Sequence, residues 1–149
     1  MSQERTNFSA ERRDWLKVLK EDKKILDFDS IDNKDIFYMM IALGCIENRE
    51  ELPELKKAES WIQRETYKTK GEALICSALL GEKCKAGEDI NEYADFTKCN
   101  KYAEKCAEVG FDVLDKMVKE ANYNNDELCA AFMRKLDSLY NLNVKAEDL

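Results

Sequence analysis

DFTKCNKYAEKCAEVGFDVLDKMVKEA, residues 95–121, places Phe96, Cys99, Ala103, Cys106, Gly110, Val113, Met117 and Ala121 three or four positions apart. That spacing draws one apolar stripe along about seven turns of helix at 3.6 residues per turn. Ala107, Phe111, Leu114 and Val118 add a second stripe beside its later half. A helix apolar on two adjoining faces packs against several neighbours. The reading is an all-α chain: a single helical domain of about five main helices around this long central one. Asp95 is its expected N-cap. A straight helix from Asp89 to Ala121 would measure roughly 50 Å, long beside an expected radius of gyration of about 15 Å. A break near Asp95 is therefore expected.

Outward from this stretch, Ser9 is a good N-cap for a first helix to about Leu26. Its apolar side is Trp15, Val18, Leu19, Ile25 and Leu26. Asp32 or Asn33 caps a second, KDIFYMMIALGCI, nearly all apolar from Ile36 to Ile46 and so buried on most sides. Residues 47–60 are charged, hold the single proline, and read as a surface connection with a helical turn from Pro53 to Ala58. WIQRETY, 61–67, alternates weakly but has no convincing partner strand. It reads as an irregular piece with Trp61 and Ile62 in the core. Thr69 and Glu72 have capping-box spacing before a third main helix with Ala73, Cys76, Leu80 and Cys84 inward. After a turn at Asn122–Asn125, a last helix to about residue 142 carries Leu128, Phe132, Leu136 and Leu139. Short flexible tails are expected at about 1–8 and 143–149.

The totals bound the class. One domain is the simplest reading of 149 residues. Five glycines and one proline are too few for a sandwich rich in turns. No apolar run approaches the roughly 18 residues of a membrane span, and MSQERTNFSAERR has no apolar segment of a signal peptide. A cytoplasmic protein away from membranes is the expectation. The six cysteines then read as buried free thiols rather than disulfides. The net charge of −7 is uneven, with ten Lys/Arg against sixteen Asp/Glu in residues 71–149. An acidic body disfavours non-specific nucleic-acid binding, which depends on neutralising phosphates.

Chemistry is sparse. The chain has no histidine, which removes the commonest general acid/base, His-based triads and His-containing zinc sites. Cys99 and Cys106 lie two turns apart, about 10 Å by rise, too far to share one ion. No Cys-x-x-Cys pair and no Gly-rich phosphate loop occur. The expectation is no enzyme, no catalytic residue, no cofactor and no metal. Arg13, Lys17, Lys20 and Lys24 form a basic stripe at spacings of four, three and four. Two readings of it stand. One is a solvated face offset by Asp14, Glu21 and Asp22; the other is a contact to nucleic acid or an acidic partner. A protein partner or a homodimer through a helix face is expected.

Three segments together carry a resemblance: NKDIFYMMIALGCIENREELPELKKAESWIQRE, KGEALICSALLGE and KYAEKCAEVGFDVLDKMV. They resemble the small DNA phosphorothioation-associated proteins, of the kind called Dnd-system-associated protein 4. The likeness covers about 33–118 and includes Tyr102, Ala103, Gly110, Phe111 and Leu114 in order. It consists of apolar and small residues. What it implies is an accessory protein of a prokaryotic DNA-modification and phage-restriction locus; together with the absence of catalytic motifs, the reading is a non-catalytic accessory or adaptor that acts by protein–protein interaction. It supplies no catalytic residues. A DNA-binding regulator using the basic stripe is the alternative reading, and an enzyme without a recognisable motif the least favoured.

Overall fold

The computed structural model describes residues 4–147 except Lys24, Leu26, Phe28, Asp29 and Asn48, with backbone alone for 140 and 142–147. The fold is helical. Its α-helices are α1 (Ala10–Lys17), α2 (Asn33–Glu47), α3 (Lys68–Lys85), α4 (Phe96–Glu120) and α5 (Asn125–Glu147). Two strands, β1 (Arg5–Ser9) and β2 (Ala58–Gln63), form a small antiparallel sheet. The longest helix is α4. Asp95 caps it, its carboxylate accepting from the Lys98 N–H and its carbonyl from the Cys99 N–H. A 3₁₀ turn at Ile90–Glu92 makes the expected break before it. The chain divides into two units, residues 1–114 and 115–149, the division falling inside α4.

In the first unit, α2 crosses α4 backbone to backbone. A Cβ built on Gly44 would lie 1.8 Å from the Cys106 carbonyl oxygen, and one on Gly110 1.9 Å from that of Met40. Only glycine at both points lets the helices meet so closely. Ile36, Phe37 and Met40 of α2 are fully buried, each such side chain stabilising the fold by about 1.5–3 kcal/mol. Ala42 and Cys45 remain exposed. One side of α2 is thus open, where the sequence suggested burial nearly all round.

The sheet corrects two expectations. Residues 5–8 are not a tail, and 58–63 has a partner strand. β1 pairs with β2 from Arg5↔Gln63 to Ser9↔Ala58, with an irregularity between Thr6 and Asn7. Phe8 stacks on Trp61 at 4.9 Å, and Trp61 also meets Phe37 and Phe111, each at 5.8 Å. The strand is short and mostly polar because half of its partners lie on α4. Alternate residues of β1 turn away from β2. There the Arg5 carbonyl accepts from Asn100 Nδ2 at 3.1 Å, Asn7 N–H donates to Glu104 Oε2, and Ser9 N–H donates to Glu108 Oε1 at 2.9 Å. Two strand residues advance about 6.8 Å and four helix residues about 6.0 Å. A row at i, i+4, i+8 on α4 can therefore follow the free edge of β1. It takes the place of a third strand and satisfies backbone groups that burial would otherwise leave unpaired.

Other differences are local. The first helix leaves α-geometry after Lys17 and continues as a π-turn, Val18–Asp22; Leu26, its expected end, lies outside the described residues. Leu16, Leu19 and Ile25 are buried while Val18 is exposed. Ser9 precedes α1 but makes no side-chain cap bond; its hydroxyl accepts from Lys56 N–H instead. No helical turn forms at Pro53–Ala58, where the chain is irregular and then enters β2. α3 begins at Lys68, and Glu72 pairs with Arg64 at 2.5 Å rather than closing a capping box. Its inner stripe is Gly71, Ile75 and Leu79 rather than Ala73, Cys76, Leu80 and Cys84, because Gly71 is set against Tyr38 and Tyr67.

In the second unit, Asn124 caps α5 through Oδ1, accepting from Glu127 N–H at 3.0 Å. Val118, Ala121 and Leu128 are buried, whereas Met133 and Leu136 are 66 % and 62 % exposed. α5 runs to Glu147, through most of the stretch expected to be a loose tail. Lys, Ala and Glu are helix formers, and no Gly or Pro interrupts them. Residues 148–149 lie outside the described residues. Among the described residues, no helix is long and apolar enough to cross a membrane.

Candidate functional site: a groove between α2, α3 and α4

The open side of α2 forms one wall of a groove of about 730 Å³. α2 contributes Tyr38, Ile41 and Cys45; α3 contributes Leu74, Ala78 and Glu82; α4 contributes Tyr102 and Cys106. Arg49, Glu50 and Leu52 also line it, and Lys85 follows Glu82 by three residues on α3. The interior is aromatic and aliphatic and its edge holds charges of both signs. Leu74, on the α3 side, is 44 % exposed. Gly44 and Gly110 bring α2 onto α4, and the small residues Ser77, Ala78 and Gly81 of α3 leave room along the groove's lining.

Two cysteines 61 positions apart meet in this groove. Cys45 is exposed, Cys106 is buried, and both line the groove. The neighbouring Cys106 thiol holds the Cys45 thiol below its ordinary range; burial and Glu82 oppose this, and Lys85 assists. Cys106 is correspondingly pushed up, first by Cys45 and then by burial. Burial also raises Tyr102, one turn before Cys106, to about 12. A second thiol pair behaves differently. Burial and a bond with Cys99 raise Cys76 to about 12, and Cys99 Sγ donates to the Tyr93 carbonyl at 3.3 Å. All six cysteines are free as expected, but only Cys99 and Cys106 are buried; Cys45, Cys84 and Cys129 are exposed. Cys84 and Cys129 sit on outer faces of α3 and α5, where apolar spacing alone misplaced them.

The basic stripe is not one open row. Arg13 pairs with Glu59 of β2, Nη2 donating to Oε1 at 3.0 Å and Nη1 lying 2.9 Å from Oε2. Lys17 is exposed. Lys20 Nζ donates to Asn33 Oδ1 at 3.5 Å, and Lys24 lies outside the described residues. The stronger basic residue of α1 is Arg12, which the stripe omitted. It reaches Glu108 at 3.1 Å and Asp112 at 2.6 Å on α4. Lys98 donates to the Glu92 carbonyl and Lys105 pairs with Glu54 at 2.8 Å.

Among the described residues, no three His, Cys, Asp or Glu side chains gather as a metal site would require. The sequence signal that could have located the groove is a row of small residues on two helices, Ala42 and Cys45 on α2 with Ser77, Ala78 and Gly81 on α3. No protein-family model, no curated protein and no solved structure matches this chain.

Proposed function

We propose that this protein is a non-catalytic accessory module of a prokaryotic DNA phosphorothioation-linked defence system, and that it holds a segment of a partner protein in the α2/α3/α4 groove. The observation that carries the reading is the groove's lining. An apolar interior of Ile41, Leu52 and Leu74, with Tyr38 and Tyr102, suits an apolar anchor side chain. Arg49 and Lys85 with Glu50 and Glu82 at the edge suit a flanking segment that carries both signs of charge. The cellular setting rests on the resemblance over residues 33–118, and the groove lies within that span.

The test is capture from the native host with the intact chain and with Leu74→Glu, which places a charge at the mouth of the groove. The expected result is a protein encoded beside the DNA-modification genes that is retained by the intact chain and lost with the variant. A partner retained equally by both would remove the groove from the reading. A gene neighbourhood without modification genes would remove the defence setting.

A further inference from the structure

The groove holds a second kind of chemistry, which does not depend on its occupancy by a partner. Cys45 is exposed there, and Cys106 is buried beside it on the adjoining helix, both lining the groove. Their nearness is set by the backbone: Gly44, next to Cys45, rests on the carbonyl of Cys106 itself. Neither helix can draw away without losing the crossing. One accessible thiol and one sheltered thiol held together is the arrangement of an attacking and a resolving cysteine.

We propose that Cys45 is a site of oxidation by hydroperoxides and that Cys106 resolves it, giving a disulfide between α2 and α4 on the groove wall. In the first step the Cys45 thiolate attacks one oxygen of hydrogen peroxide. An S–O bond forms, the O–O bond breaks, and the departing hydroxide takes a proton to leave as water. Cys45 is then a sulfenic acid. In the second step the Cys106 sulfur attacks the Cys45 sulfur, and the S–O bond breaks. The hydroxide released takes the Cys106 thiol proton and leaves as a second water. Two thiols have lost two electrons and two protons, and one peroxide has become two waters. Cys76 and Cys99 do not offer the same pairing, because Cys99 is buried with its S–H committed to the Tyr93 carbonyl.

The experiment exposes the reduced full-length protein to limiting hydrogen peroxide, alkylates the remaining thiols, and maps the digest by mass spectrometry. Cleavage after Lys and Arg places Cys45 and Cys106 in different peptides. The expected result is a Cys45–Cys106 linked peptide forming ~10-fold faster than any oxidation of Cys84 or Cys129, the other exposed thiols. Cys45→Ser, a change at an exposed position, should leave Cys106 reduced. Cys106→Ser should let the Cys45 sulfenic acid accumulate, trapped by a dimedone-type reagent. Oxidation of Cys45 no faster than of Cys84 and Cys129 would overturn the proposal. So would a first disulfide that joins any other pair, or oxidation of Cys106 in the Cys45→Ser protein.

Discussion

The backbone N–H of Ser9 donates to Glu108 Oε1 at 2.9 Å, so a buried carboxylate of α4 does for β1 what a neighbouring strand would do. The same carboxylate binds Arg12 through its other oxygen at 3.1 Å. Glu108 therefore ties the end of β1 and the start of α1 to the central helix at once. Removing it leaves Arg12 to Asp112 alone and the Ser9 amide without its partner. Glu108→Ala is expected to cost on the order of 1–3 kcal/mol in chemical denaturation. Lys119→Ala, which breaks an exposed i,i+4 pair with Asp115, should leave the midpoint where it is. A Glu108→Ala protein as stable as the parent would show that the row on α4 does not hold β1.

The α2–α4 crossing makes a steric prediction. Gly44→Ala and Gly110→Ala each drive a methyl group into a backbone carbonyl of the opposite helix, and a backbone cannot turn aside as a side chain can. Each should cost about 3 kcal/mol or more, by the strain of overpacking a close contact. Gly81, with nothing within 4 Å of an added Cβ, is the control: Gly81→Ala should stabilise by about 0.5–1 kcal/mol through helix propensity. Thermal or urea unfolding of the three variants separates the outcomes. Equal effects at all three positions would contradict the crossing.

Glu104 predicts a pH dependence. Burial pushes its carboxyl up to about 7, against the bond from Asn7 N–H and the nearby charge of Lys101. Its folded pKa lies above the ordinary carboxyl value of 4.5, so the folded chain holds the proton more tightly than the unfolded chain. The stability this provides is full below about pH 4.5 and is lost as pH rises through about 7. Glu104→Gln keeps the shape of the protonated acid without the titration. Relative to that variant, the parent should lose on the order of 1–2 kcal/mol between pH 4.5 and 8 in urea unfolding. Parallel pH profiles for the two proteins would contradict it.

Duplex DNA should not bind through α1 at physiological salt. The chain is acidic, and Arg13 is already engaged by Glu59. Fluorescence anisotropy is expected to stay flat with DNA added. A binding curve that weakens steeply with salt, and disappears with Lys17→Ala and Lys20→Ala together, would restore the alternative reading of the stripe.

Much of the helical plan was legible, because α4 writes its two apolar stripes and its Asp95 cap within one continuous stretch. Its polar row was there too: Asn100, Glu104 and Glu108 repeat every four residues. Spacing cannot say whether such a row meets water or a strand edge, and here it meets β1. For the same reason β1 itself was hidden, since RTNFS has one large apolar residue and borrows its remaining pairing from a helix 95 positions away. The stripe of α3 was misread because Gly71 faces inward beside two tyrosines, and glycine carries no apolar signal. The groove joins Cys45 to Cys106 only after Gly44 and Gly110 have set the crossing. No local pattern encodes that meeting.

The most direct test of α4's role as the third member of the sheet is amide hydrogen exchange at Asn7 and Ser9. Both amides point away from β2, toward Glu104 and Glu108. They should exchange as slowly as those of Ala10 and Arg64, which bond across the ladder to Lys56 and Glu4. Exchange at the rate of an open strand edge, with Ala10 and Arg64 still protected, would contradict the account.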